Sequence, residues 1–358
     1  LMQNIDERFM RRALELASRG AGQTSPNPNV GAVVVRDGRI VGEGWHARFG
    51  TAHAEVMALG AAGAAAKGAT VYVTLEPCAH HGKTPPCTGA LVAAGVSRVV
   101  YAVGDPNPIA AGGAQWLREA GVDVTAGVLL AEVSEFIAPF LFVSRGAVRP
   151  FVTLKLALSI DGAIVGASRV GWLTGTETRR AVHELRGSAD AIAIGIGTAL
   201  ADDPSLTVRE SPAPRVPPRR VIFDRQARLS LDSALVKTAR DVPVDVFTDG
   251  SHPEREERLH AAGVSCHATA SLDAALQVLR SHGVQHLLVE GGATLASAFV
   301  QAGLVDRLIT FQAPVILGEG SLHAFASLPA RSAGEQWRVL ARRSFGADWM
   351  TTYAPSGD

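Results

Sequence analysis

The chain has 358 residues, 47% of them hydrophobic and 6% aromatic, with 34 Lys plus Arg against 34 Asp plus Glu. That length predicts two domains, and an interior rich in Ala and Gly but poor in aromatics fits α/β layers better than an aromatic-rich sandwich. Zero net charge gives no argument for nucleic acid or an anionic membrane as partner, and no apolar run reaches the roughly 18 residues that cross a bilayer.

Residues 1–20 are charged and helix-patterned and lack the apolar stretch of a secretory signal, so a cytoplasmic setting is expected. Phe9, Ala13, Leu16 and Ala17 fall at helical spacing and predict a helix over 6–19. A loop with two prolines follows at 24–29, then strands at 30–35 and 40–45 joined by the Asp37-Gly38 turn. A helix is predicted over 51–60, with Thr51 as its cap, carrying His53 and Glu55. A strand at 70–75 stops at Glu76-Pro77-Cys78. Further strands are predicted at 97–103 and 122–127 around a helix at 114–120. Residues 145–150 read as a linker.

A second pattern begins at Phe151. Strands are predicted at 151–157, 189–196, 220–224, 242–248, 286–289 and 307–313, and helices at 177–186, 272–282 and 294–302. Residues 211–218 hold four prolines and read as a surface loop.

The chain has three cysteines, Cys78, Cys87 and Cys266. So few, with two close together, fit a reducing compartment and a metal site better than a disulfide framework. Cys266 is given no role. Taken singly, His53-Ala54-Glu55 is an ordinary solvated helix face, Pro77-Cys78 means little, and two cysteines nine apart can be buried small residues. In this order, however, they form the His-x-Glu, Pro-Cys, Cys pattern of a zinc site that deaminates amino-substituted rings. His53, Cys78 and Cys87 are the expected ligands. Three protein ligands leave a fourth position for water, which marks a catalytic site. Two thiolates balance the charge of Zn2+, and Glu55, two residues past His53, is placed to move protons without binding the metal.

In the second half, the strand at 189–196 runs into Gly195-Ile196-Gly197-Thr198. The strand at 286–289 runs into Glu290-Gly291-Gly292-Ala293-Thr294 and then a helix. Glycine turns at helix starts let backbone N–H groups approach a phosphate, although Gly-Gly before a helix is often only a tight turn. Position 200 is Leu, not the third glycine of the dinucleotide fingerprint, so a Rossmann domain is rejected.

These residues resemble the bifunctional riboflavin-biosynthesis family. Its members fuse a diaminohydroxyphosphoribosylaminopyrimidine deaminase to a 5-amino-6-(5-phosphoribosylamino)uracil reductase. In the first half the likeness rests on 26–32 (PNPNVGA), His53-Ala54-Glu55 and 74–87 (TLEPCAHHGKTPPC). In the second it rests on 155–162 (KLALSIDG), 201–209 (ADDPSLTVR) and 289–295 (VEGGATL). The nine-residue step from Cys78 to Cys87 is longer than in cytidine and tRNA-adenosine deaminases and similar to that of the riboflavin deaminases. The insert carries Lys83 and Thr84, which suit a substrate phosphate.

The resemblance implies a cytidine-deaminase-like three-layer α/β/α domain over 1–146 and a dihydrofolate-reductase-like α/β domain over 150–358. It implies Zn2+ and NADPH as cofactors, a pyrimidine ribotide as substrate and a homo-oligomer, dimer or larger. By resemblance Asn27 and His46 line the deaminase pocket. Cofactor contacts fall on Ala157, Trp172, Thr198, Asp202 and the run Gly292, Ala293, Thr294, Leu295, Ala296, Ser297 and Ala298. Substrate contacts fall on Arg186, Leu206, Arg209 and Glu290, with the two arginines suited to a ribose phosphate or, more commonly for Arg, to ion pairs. One departure is visible. The family's serine before the Trp-Leu-Thr segment aligns with Val170 in a loop one residue shorter, so Ser168 is the expected substitute. No side chain is an evident proton donor for the reduction, which is expected to depend on positioning. Two rivals stand beside this reading: a single-activity nucleoside or tRNA deaminase with a non-catalytic second domain, and a non-catalytic protein structured by zinc.

Overall fold

A computed structural model describes residues 5–79, 86–107, 111–167, 171–328 and 336–356. The chain divides into two compact units, Leu1–Ala147 and Val148–Asp358.

The first unit runs α1 (Ile5–Ser18), β1 (Gly31–Arg36), β2 (Arg39–Trp45), α2 (Ala54–Ala62), β3 (Thr70–Leu75), α3 (Cys87–Ala93), β4 (Arg98–Val103), α4 (Gly113–Glu119), β5 (Asp123–Ala126), α5 (Leu130–Phe136) and α6 (Ala138–Ser144). Its sheet has the order β2-β1-β3-β4-β5. β1 is antiparallel to both neighbours, and β3, β4 and β5 are parallel. Strand alternation builds the layers. Val33 and Val35 of β1 pack with Phe9, Met10 and Leu16 of α1 and with Val133 and Leu141 of α5 and α6. Ala32 and Val34 face the other way, onto Ala54 and Ala58 of α2, Leu91 of α3 and Leu117 of α4. The unit is therefore the expected three-layer α/β/α sandwich.

Small residues set the spacing of that second layer. A Cβ at Gly44 would lie 2.4 Å from Ala58 N and 2.5 Å from Ala54 O, and one at Gly42 would lie 2.3 Å from Ala58 O. Glycine at both positions lets α2 lie against β2 backbone to backbone.

One ion cluster fixes the opposite layer. Both carboxylate oxygens of Asp6 accept from Arg98, at 3.1 and 2.9 Å, and Tyr72 Oη donates to Asp6 at 2.6 Å. The Arg98 fork holds the Asp6 carboxyl below the usual carboxylate range despite partial burial. A carboxyl depressed in the folded state stabilises fully above its unfolded value, near pH 4, and this contribution is lost as pH falls through the folded value. Asp6→Asn is expected to cost about 2 kcal/mol at pH 7. Denaturant unfolding should show this deficit shrinking below about pH 4.

The second unit runs β6 (Phe151–Leu158), β7 (Ala163–Val165), α7 (Thr176–Ser188), β8 (Ala191–Gly195), α8 (Ile196–Asp202), β9 (Arg219–Phe223), α9 (Ala234–Lys237), β10 (Val244–Thr248), α10 (Pro253–Ala261), β11 (Ser265–Ala268), α11 (Leu272–Ser281), β12 (His286–Val289), α12 (Ala293–Gln301), β13 (Arg307–Gln312), β14 (Leu322–His323), β15 (Trp337–Phe345) and β16 (Asp348–Pro355). Its main sheet has the order β11-β10-β9-β8-β12-β6-β13-β16-β15. The seven strands from β11 to β13 are mutually parallel, and β16 pairs antiparallel with both β13 and β15. One face packs Val152, Leu154 and Leu156 under Leu276 and Leu279 of α11 and Phe299 of α12. The other packs Ile192, Ile222 and Val246 against Leu235 and Leu259. β12 is inserted between β6 and β8, so the connections diverge there. Ligands of open parallel sheets bind at such a point, beyond the carboxyl ends of the strands.

The structure corrects the start of the zinc-motif helix. α2 begins at Ala54, with His53 in the extended N-cap position and no side-chain cap. Thr51 does not cap it, because its hydroxyl donates to Arg48 O at 2.7 Å. The predicted strand at 189–196 also ends early, at Gly195, because Ile196 opens a helix.

Candidate active sites in the two units

Three elements of the first unit deliver the expected metal ligands. His53 stands at the start of α2, Cys78 follows the carboxyl end of β3, and Cys87 is the first residue of α3. His53 Nδ1 lies 3.2 Å from Cys87 Sγ and 3.6 Å from Cys78 Sγ. The three donor atoms fall within 4.8 Å of one another. Tetrahedral ligands around Zn2+ stand about 3.5–3.8 Å apart, so the cluster fits that ion with little adjustment. Cys87 N–H also donates to Cys78 Sγ at 3.4 Å.

The bond from Cys87 and the His53 ring lower the Cys78 thiol, while the bond to Cys78 and burial push Cys87 up. A sulfur held as an anion beside an imidazole and a helix N-terminus is prepared for a cation. Glu55 is buried at 4% exposure and belongs to the first turn of α2. Burial pushes its carboxyl up, the condition of a proton-shuttling group more than of a salt-bridge partner.

Asn27 and His46 are brought to the same place. His46 is buried, its Nδ1 lies 3.2 Å from Ala52 O, and its Nε2 faces Asn27 Nδ2 at 3.3 Å. Burial lowers the His46 ring pKa, which favours the neutral tautomer that donates to Ala52 and accepts from Asn27. The His46 and His53 rings meet edge to face at 5.5 Å. Lys83 and Thr84 lie outside the described residues.

Two residues without a predicted role support the site. Glu76 accepts from Ala114 N at 2.9 Å and from Asp105 N at 3.2 Å, tying the end of β3 to α4. Gly113 lies so close that a Cβ there would be 1.8 Å from Pro77 O. Gly113→Ala must push back the segment that carries Cys78. It is expected to lower zinc affinity about tenfold, measured by metal retention on dialysis.

In the second unit Ala157, Thr198, Glu290 and Gly292 stand near the carboxyl ends of β6, β8 and β12. Glu290 follows β12 and receives a fork from Arg186, with Nη2 donating to Oε2 at 3.0 Å and Nε to Oε1. Arg186 also donates to Thr207 O at 3.2 Å. These two expected substrate contacts are therefore paired with each other. Arg209 is exposed, while Leu206 is buried with φ of 49°.

Lys155 on β6 was given no role from the sequence. Its Nζ lies 4.0 Å from Glu290 Oε2. Burial lowers its pKa while Glu290 opposes that shift. The signal was present as a lysine within an otherwise apolar strand, a placement that needs a partner.

The glycine turns form two open helix starts. α12 begins after Gly292 and α8 after Gly195, and neither start carries a side-chain cap. A Cβ at Gly292 would be 3.0 Å from Thr198 Oγ1, so the turns meet. Ala293, Leu295, Ala296 and Ser297 are buried, whereas Thr294 is exposed. Helical periodicity thus turns much of the Gly292–Ala298 run into the core, leaving Gly292 and Thr294 to face outward. Ala157 is half-buried on β6 and Asp202 is exposed at the end of α8. Trp172 is 79% exposed, with the Arg179 guanidinium 5.5 Å from its ring centre. Ser168 and Val170 lie outside the described residues.

Comparison with known proteins follows the same division. Residues 3–103 match the family described as "Cytidine and deoxycytidylate deaminase zinc-binding region", and residues 150–351 match "RibD C-terminal domain". The chain is 42% identical over 349 residues to the riboflavin biosynthesis protein RibD of Aquifex aeolicus, covering 96% of each. It is 44% identical over 360 residues to that of Escherichia coli, covering 96% of this chain and 97% of the relative. Among solved structures it resembles Acinetobacter baumannii RibD at 38% identity and TM-score 0.83, covering 99% of each chain. It also resembles a Thermotoga maritima diaminohydroxyphosphoribosylaminopyrimidine deaminase/5-amino-6-(5-phosphoribosylamino)uracil reductase at 35% identity and TM-score 0.84, covering 98% and 99%. Among the described residues no helix is long and apolar enough to cross a membrane.

Proposed function

The chain belongs to the RibD family of riboflavin-biosynthesis proteins, and on that premise we propose that it carries out both of the family's successive reactions on one pyrimidine ribotide. The first unit hydrolytically deaminates 2,5-diamino-6-(ribosylamino)-4(3H)-pyrimidinone 5′-phosphate. The second reduces the ribosyl group of the product to ribityl with NADPH. The observation that carries this reading is the convergence of His53, Cys78 and Cys87 beside a buried Glu55.

His53, Cys78 and Cys87 would hold zinc, which when bound would bring the pKa of a water toward neutrality. Glu55 takes a proton from the attacking water and passes protons to the ring nitrogen and the departing ammonia. Water and the amino-substituted carbon thereby yield a carbonyl and ammonia. Asn27 and His46 orient the ring, and Lys83 and Thr84 receive the phosphate.

In the second unit the uncapped helix starts after Gly195 and Gly292 would receive the cofactor phosphates. Thr198, Asp202, Thr294, Ala157 and Trp172 would be further cofactor contacts. NADPH, when bound, supplies a hydride to C1 of the opened ribosyl group. Lys155 gives a proton to the sugar oxygen released on ring opening, and Glu290 keeps that lysine charged and in place. Arg209, with Arg186, contacts the sugar phosphate, and Leu206 and Ser168 are further substrate contacts that the resemblance implies.

Ammonia release on supply of the ribotide, followed by NADPH oxidation that needs the deaminated product, supports the reading. Ammonia release with no NADPH oxidation favours the single-activity alternative.

One positioning residue follows from this placement. Asp348 is buried at 3% exposure and accepts from Gly175 N at 2.8 Å and Thr178 Oγ1 at 2.7 Å. It thereby fixes the start of α7 immediately after the Trp172–Thr174 segment. Asp348→Ala is expected to raise KM for NADPH about tenfold with a smaller change in kcat. It should also cost about 1–2 kcal/mol of stability, as loss of a helix-start acceptor does. Ammonia release should be unchanged.

A further inference from the structure

We propose that Asp245, His267 and His282 form a second metal site, for a first-row divalent ion of the zinc class, on the edge of the second unit's sheet away from the reductase crevice. Each of the three side chains offers one donor atom, and these atoms lie within 4.8 Å of one another. His267 Nε2 is 2.9 Å from Asp245 Oδ1, and His282 Nδ1 is 3.9 Å from the same oxygen.

The fold brings the three together from separate elements. Asp245 lies near the amino end of β10, His267 is on the neighbouring parallel strand β11, and His282 is the residue that ends α11. The two rings are tilted toward each other, with centres 5.4 Å apart. Phe247, whose ring lies tilted beside that of His267 with centres 5.2 Å apart, limits where that ring can turn. The crevice lined by Gly195 and Glu290 is at the carboxyl ends of the strands, so this cluster belongs to the opposite edge.

The donor chemistry selects the ion. Two imidazoles and one carboxylate suit zinc and its first-row neighbours, whereas calcium and magnesium prefer sets built from oxygen alone. Asp245 is fully buried, which is costly for a carboxylate without cationic partners, while the His267 and His282 side chains are 21% and 35% exposed. An ion can therefore enter past the rings and retain water in its remaining positions.

Arg219 sets the limits of the site. It forks onto Asp245 from β9, with Nε to Oδ2 at 2.8 Å and Nη2 to Oδ1 at 3.0 Å. Its charge satisfies the carboxylate when no metal is bound, so the sheet folds without one. The fork also orients the carboxylate, as outer partners of metal ligands do. Its positive charge keeps the affinity below that of the cysteine site. Binding links β10, β11 and the end of α11, and so stabilises this unit.

Equilibrium dialysis of the full chain against Zn2+ tests the proposal. Wild type is expected to bind one more equivalent than either His267→Gln or His282→Gln, or to bind that equivalent at least tenfold more tightly. Both variants should release ammonia at the wild-type rate and melt with wild type in the absence of added zinc. Added zinc should raise the melting temperature of wild type more than that of either variant. Equal zinc binding by wild type and both variants overturns the proposal.

Discussion

Glu55→Gln is expected to lower ammonia release by about 10²–10⁴-fold, the usual contribution of a positioned proton-transfer group, while zinc content stays at the wild-type level. The substitution preserves shape in a buried position at the start of α2. It leaves His53, Cys78 and Cys87 in place, so metal binding and chemistry separate. The amide cannot take a proton from water, and the metal ligands are not free to take over that role. NADPH oxidation with pre-deaminated ribotide should continue unchanged, because Glu55 belongs to the first unit. Equal ammonia release by wild type and Glu55→Gln would remove the proton shuttle from the mechanism.

Glu290→Ala has the largest expected effect in the second unit. Glu290 is the shared anion of Arg186 and Lys155, and all three side chains are between 11% and 15% exposed. Its loss leaves two cations facing each other in a poorly hydrated crevice. Breaking such a buried pair from one side costs about 3–5 kcal/mol. Reductase turnover should fall about a hundredfold, because Lys155 loses the charge that opposes its desolvation. Ammonia release should be unaffected at temperatures where both units remain folded. Glu290→Gln keeps the shape but not the charge. If that variant restores turnover, Glu290 acts by packing alone.

The fold was legible where burial imposed a pattern. The apolar runs of β1, β3, β8 and β12 and the helical spacing of α1 and α11 located those elements to within a few residues. α5 and α6 close the first unit's outer layer but were not foreseen, and neither was the β15–β16 hairpin. The hairpin is a sheet edge whose residues are mostly half-buried or exposed, so alternation is blurred by Arg338, Arg342 and Arg343. Among the site residues, His53, Cys78, Cys87 and Glu55 were readable because metal chemistry restricts both residue type and order. Lys155, Asp348, Gly113 and Glu76 were not, since their roles come from partners 29 to 173 positions away. For Arg186 the sequence left both a phosphate contact and an ion pair open, and the folded chain shows the pair with Glu290, 104 positions away.

X-ray absorption at the zinc edge, on protein loaded with a single equivalent, tests the central claim most directly. The account predicts two sulfur scatterers at about 2.3 Å and two lighter atoms at about 2.0–2.1 Å, one from His53 and one from water. Cys87→Ser should remove one sulfur. A spectrum with only nitrogen and oxygen neighbours, unchanged by that substitution, would contradict it.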